Sequence, residues 1–109
     1  MDREAIRAAY HALIDTHPEI EVKGKDMLYT SVNGHMFSIV NKTDGEVGLR
    51  LSKEDREAFI AEHDTALHES YGAVMREYVR IPHRLLEDPE SLAPYLAASY
   101  DYVKTLEPK

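Results

Sequence analysis

Between Met27 and Leu51 the chain reads MLYTSVNGHMFSIVNKTDGEVGLRL, short apolar runs broken twice by turn residues. Val47, Leu49 and Leu51 alternate with Glu46, Gly48 and Arg50, the period-two pattern of a strand with one buried face. Asn33-Gly34 is the pair that most easily takes positive φ at both central positions of a type I′ hairpin, and Asp44-Gly45 supplies a second turn. The stretch therefore predicts a three-strand antiparallel meander. Its first two strands are apolar on both faces: Met27 and Tyr29 oppose Leu28 and Val32, and Phe37 and Ile39 oppose Met36 and Val40 across Ser38. Such strands need cover on both sides, and a small domain has helices enough for one. A second copy of the chain is the expected second cover, with Met27, Tyr29, Met36 and Val40 as its contact residues.

Ahead of the meander, Ile6, Tyr10, Leu13 and Ile14 recur at helical spacing between Asp2, an N-cap residue, and Pro18, which stops the pattern. Glu19 to Lys25 reads as a connector. After the meander, Ser52-Lys53-Glu54-Asp55 resembles a capping box and starts a helix that runs to about Glu62 on a short stripe of Ala58, Phe59 and Ile60. His63 to Gly72 is expected to be a loop, with room for a brief strand around Ala66 to Glu69. Val74 to Ile81 reads as a strand ended by Pro82, and Pro82 to Leu86 as one helical turn. A last helix, placed from Ser91 so that Pro94 falls in its first turn, carries Leu92, Tyr95, Leu96, Ser99, Tyr102, Val103 and Leu106 on one face. The elements add up to a two-layer α+β fold: an antiparallel sheet of four to five strands flanked by N-terminal, middle and C-terminal helices. Residues 1–109 read as a single domain.

Composition narrows the chemistry. Hydrophobic residues make up 43% of the 109 and charged residues 30%, the balance of an ordinary globular protein. No cysteine is present, which removes disulfides, thiolate metal sites and thiol catalysis. Thirteen Lys and Arg against 20 Asp and Glu give a net charge of −7, which disfavours binding to a phosphate backbone. The N-terminus is charged from its second residue, and no run approaches the ~18 apolar residues of a membrane span, so a cytoplasmic location without membrane contact is expected.

Two groups of side chains could carry a site. Arg76, Tyr78 and Arg80, with His83 and Arg84 just beyond, place an aromatic between cations on one strand face, suited to a carboxylate, a phosphate or a stacked base. The plainer reading is that the arginine stems flank a half-buried tyrosine. Glu62, His63, Asp64, His68 and Glu69 mix imidazole and carboxylate as a metal-dependent hydrolase does, but His63 and His68 stand five apart across a predicted helix end rather than four apart on one face. No G-x-S-x-G elbow and no phosphate-binding glycine loop occurs, so no catalytic residue, metal ligand or cofactor is assigned.

Four pieces, VKGKDMLY from Val22, NGHMFSIV from Asn33, GLRLSKEDREAF from Gly48 and MREYVRIPHRLLEDPESL from Met75, stand in the order in which the sequence resembles the N-terminal domain of the TfoX/Sxy family. The resemblance implies a two-layer α+β domain similar to YjbR-like and secretion-chaperone-like folds, often homodimeric, with no catalytic residues to carry over. The family takes its name from bacterial competence regulators, in which a C-terminal domain follows this one; these 109 residues hold no counterpart of it. Asp26-Met27-Leu28-Tyr29 also replaces the Met-Phe-Gly-Gly run common after the lysine. The expected function is a non-enzymatic interaction and regulatory domain that self-associates first and has a further, unnamed protein partner. The rivals are a small-ligand or nucleic-acid binder using Arg76, Tyr78, Arg80 and Arg84, and, behind it, a hydrolase using His63 and His68.

Overall fold

Asp2 opens the first helix by accepting a 2.8 Å hydrogen bond from the Ala5 amide, satisfying one of the amides that a helix start leaves bare. In the computed structural model, which describes residues 1–109, helix α1 (Arg3–Asp15) buries the predicted stripe of Ile6, Tyr10, Leu13 and Ile14. The connector follows, with Ile20 reaching the core and Lys23 forming a two-bond bridge to Tyr29.

The meander is strands β1 (Tyr29–Val32), β2 (His35–Val40) and β3 (Val47–Arg50). Asn33 and Gly34 sit at φ 56° and 78°, the paired positive values of a type I′ turn. At the second turn Gly45 has φ 72°, and the Asp44 carboxylate accepts a 2.9 Å bond from the Glu46 amide. Helix α2 (Lys53–His63) starts on the Ser52 hydroxyl, which accepts from the Asp55 amide, and stops where Asp64 turns left-handed. Its single buried residue is Phe59.

Within the stretch read as a loop, the brief strand expected around Ala66 to Glu69 is present, and with the strand that follows it makes a hairpin. Strand β4 (Leu67–Ser70) turns through Tyr71-Gly72, at φ 54° and 77°, into β5 (Ala73–Ile81). Helix α3 (His83–Leu86) is the single turn foreseen after Pro82. Helix α4 (Pro89–Lys104) begins two residues ahead of Ser91, because Pro89 takes the N-terminal position where a missing N–H costs nothing. Pro94 therefore lies inside the helix; Pro94 and Glu90, the residue four before it, are both exposed, so water can serve the carbonyl left bare.

The five strands lie in the order β1-β2-β3-β5-β4, every neighbouring pair antiparallel. α1, α3 and α4 pack on one another and on one face of this sheet. Between sheet and α1 runs a buried polar chain: Tyr10 Oη lies 2.6 Å from Ser38 Oγ, which lies 2.5 Å from Thr30 Oγ1. Burial pushes the Tyr10 hydroxyl up to about 12.

One register shift changes which residues the sheet buries. Thr30 faces Ser38 but Ser31 faces Met36, so Phe37 is an extra residue on β2. This β-bulge sends Phe37, Ser38 and Val40 to the helix side together, where Phe37 and Val40 join the core and Ser38 meets Tyr10. Simple alternation pairs Val40 with Met36 on an outer surface; Val40 is 3% exposed and faces the helices.

Candidate functional site

Arg76, Tyr78, Arg80 and Arg84 do not form one face. β4 pairs Leu67 with Val79 but His68 with Met75, so Arg76 to Tyr78 lie in an irregular span with no partner on β4. Tyr78 is 8% exposed and donates a 2.6 Å bond to the Met36 carbonyl; burial pushes its hydroxyl up to about 12. Arg76 stays exposed. Arg84, on α3, donates to the His63 carbonyl that ends α2. Arg80 alone turns toward a cavity.

That cavity, about 310 Å³, is lined by Asp44, Glu46, Glu69, Tyr71 and Arg80 around a fully buried His68. It exists because the β4–β5 hairpin curls over the sheet. His68 and Met75, paired across the hairpin, turn inward, while Glu69 and Val74 turn out. The imidazole lies flat on Gly48: a Cβ built there would stand 2.6 Å from both Cγ and Cδ2 of the ring, so no larger residue fits unless the ring moves. The sheet face opposite the helices is thus partly covered by the chain's own hairpin and by Tyr78.

Hydrogen bonding fixes the state of His68. Asn41 Nδ2 donates to the Glu69 carbonyl at 2.8 Å, which leaves Asn41 Oδ1 to accept from His68 Nε2 at 3.0 Å. Nε2 therefore carries the proton, and Nδ1 is a bare acceptor sealed from solvent without a donor. Burial depresses the imidazole to about 4, with Asp44 pulling the other way and Arg80 reinforcing the shift. A neutral, enclosed ring of this kind holds structure and is not placed to exchange protons with a substrate.

His63 lies elsewhere, stacked at 4.6 Å from the Phe59 ring and 3.1 Å from Tyr95 Oη. The two histidines serve separate clusters, and no three His, Asp or Glu side chains are arranged to hold a metal ion. Nor is any helix long and apolar enough to cross a membrane.

The expected contact residues divide. Met27, Tyr29 and Met36 are half-buried, and Val40 is core. The most exposed large apolar side chains away from the N-terminus are Tyr71 (70%) and Val74 (52%), both on the β4–β5 hairpin. Tyr71 is also a bulky residue in left-handed backbone, an unfavourable conformation that the tight turn imposes. The sheet edges are guarded. Lys23 bridges Tyr29 on the outside of β1 and its ammonium donates to Ser31 Oγ at 2.8 Å, while Asn41 occupies the Glu69 carbonyl of β4.

Sequence reasoning passed over a second cavity, on the other side of the β2–β3 turn, where Arg3 and Arg7 of α1 meet Lys25 and Lys42. The spacing of Arg3 and Arg7, one helical turn apart, was the available signal; the lysines come from two separate loops.

An antiparallel five-strand sheet with helices at its start, middle and end defines a small α+β domain. Residues 28–103 match the TfoX N-terminal domain, and the chain belongs to that family. No curated protein matches the sequence significantly.

Proposed function

We propose that this chain is a single-domain cytoplasmic regulator that acts through protein contacts, a second copy of itself first, and has no catalysis of its own. The observation that carries this reading is the β4–β5 hairpin, which offers Tyr71 and Val74 to solvent on a tip that the fold has no internal need to make apolar. The family supports it, since the TfoX N-terminal domain suggests a small regulatory or interaction domain. Because both sheet edges are guarded, the contact is made by side chains, with half-buried Met27, Tyr29 and Met36 as a second patch and Val40 left out.

Sedimentation equilibrium tests the proposal. The parent protein is expected to dimerise, and the Tyr71→Asn/Val74→Thr variant to do so at least tenfold more weakly; Asn accepts left-handed backbone, so the turn survives. A parent that stays monomeric at high concentration ends the dimer reading. A second reading, small-ligand binding, is favoured by one observation: Arg80 makes no ion pair and faces the cavity beside His68. Saturable binding there, lost in Arg80→Gln, would support it.

A further inference from the structure

In a chain of net charge −7, the cavity of about 240 Å³ beside α1 gathers four cations, Arg3, Arg7, Lys25 and Lys42, against one carboxylate, Asp26. None of the four is in an ion pair; the pairs in the structure are Arg50–Glu77, His63–Glu62, His83–Glu46 and Lys104–Asp101. Acid is plentiful elsewhere, so this gathering is not a shortage of partners.

The two arginines are held in place by backbone. Arg7 donates to the carbonyls of Lys25 at 2.8 Å and Asp26 at 3.3 Å, and Arg3 donates to that of Thr43. Those bonds tie α1 to both loops and fix each guanidinium while leaving it N–H groups to spare. Neutral carbonyls do not cancel the charge. The ammonium groups of Lys25 and Lys42 make no hydrogen bond, and both residues are exposed, free to close on a bound group.

We propose that this cavity binds the phosphoryl group of a small phosphorylated molecule. Two preset guanidiniums can hold a tetrahedral dianion through paired N–H bonds, and two mobile ammonium groups can neutralise the rest of its charge. The volume lies below the ~300–1,000 Å³ of pockets that enclose whole drug-sized ligands, and Val40 is the single apolar side chain in the wall. Recognition therefore falls on the charged group, with the rest of the molecule outside. A nucleic-acid strand is disfavoured by the chain's net charge of −7. The proposal does not depend on self-association.

Isothermal titration with inorganic phosphate, pyrophosphate and ribose 5-phosphate, at one ionic strength held with sodium chloride, tests it. The expected result is saturable binding of one anion per chain, weakened at least tenfold in Lys25→Ser/Lys42→Ser. The lysine side chains carry no structural bond, and serine keeps the Lys25 carbonyl that Arg7 uses, so the variant should melt as the parent does without ligand; Arg7→Gln should lose binding further. Ribose 5-phosphate at least as tight as phosphate identifies an ester as the ligand, and phosphate tighter than the ester identifies the free anion; both outcomes support a phosphoryl site. Absence of saturable binding to any of the three, or equal binding by the double-lysine variant, overturns it.

Discussion

Acidification should unfold this protein earlier than its carboxylates alone would require, and His68 sets the amount. Folded, the imidazole stays neutral down to about pH 4; unfolded, it takes up a proton near its ordinary 6.5. Between those values the unfolded chain binds a proton that the native state refuses, so stability is complete above pH 6.5 and falls as the pH drops toward 4. At 1.36 kcal/mol per pH unit, the loss between pH 7.5 and 4.5 is roughly 2–3 kcal/mol, a large share of the ~5–15 kcal/mol that holds a domain of this size together. Urea unfolding followed by circular dichroism at the two pH values measures it, with His68→Gln as control. Glutamine can still donate to Asn41 Oδ1 but does not titrate. Glu77, whose carboxyl is held below its usual range first by the hydrogen bond from Arg50, also weakens the fold as pH falls, but equally in both proteins. The variant should therefore lose roughly 2–3 kcal/mol less than the parent over this span. Equal losses would refute the buried neutral ring, as would an NMR titration of His68 with a midpoint near 6.5.

Gly48→Ala tests the seat beneath that ring. With the new methyl meeting Cγ and Cδ2 at 2.6 Å, the imidazole must tilt off Asn41, and chemical denaturation should show a loss of roughly 1–3 kcal/mol. The penalty should shrink when His68→Ala is added, since the obstruction is then gone. Tyr10→Phe should cost only about 1 kcal/mol in a thermal melt, because Ser38 and Thr30 still bond each other when the phenol is removed.

What could be read from residue order was local. Asn33-Gly34 announces its turn because the needed backbone angles belong to those two residues, and Ser52 announces α2 because a cap bonds within one turn of itself. Tyr71-Gly72 makes the same turn as Asn33-Gly34, but tyrosine is so poor a left-handed residue that the two strands, each legible by itself, do not read as a hairpin. Alternation failed on β2 because a bulge is a relation between two strands: nothing in FSI says that Phe37 has no partner on β1. It failed again on β5, where the shift opposite Leu67 separates Arg80 from Arg76 and buries the tyrosine between them. Gly48 and His68 are twenty positions apart, and neither hints at the other until the hairpin folds back. The cationic cavity draws on three segments brought together by packing.

Lys23 and Asn41 have a consequence for how this protein can crowd with its own kind. An edge with a free row of amides and carbonyls recruits the next chain and then offers a new edge, so growth has no natural end. Here the bridge to Tyr29 interrupts one such row and the amide on the Glu69 carbonyl interrupts the other. Association limited to a side-chain patch is used up once two copies meet. Raising the concentration should therefore fill a finite, reversible species that dilution dissolves, instead of seeding fibres.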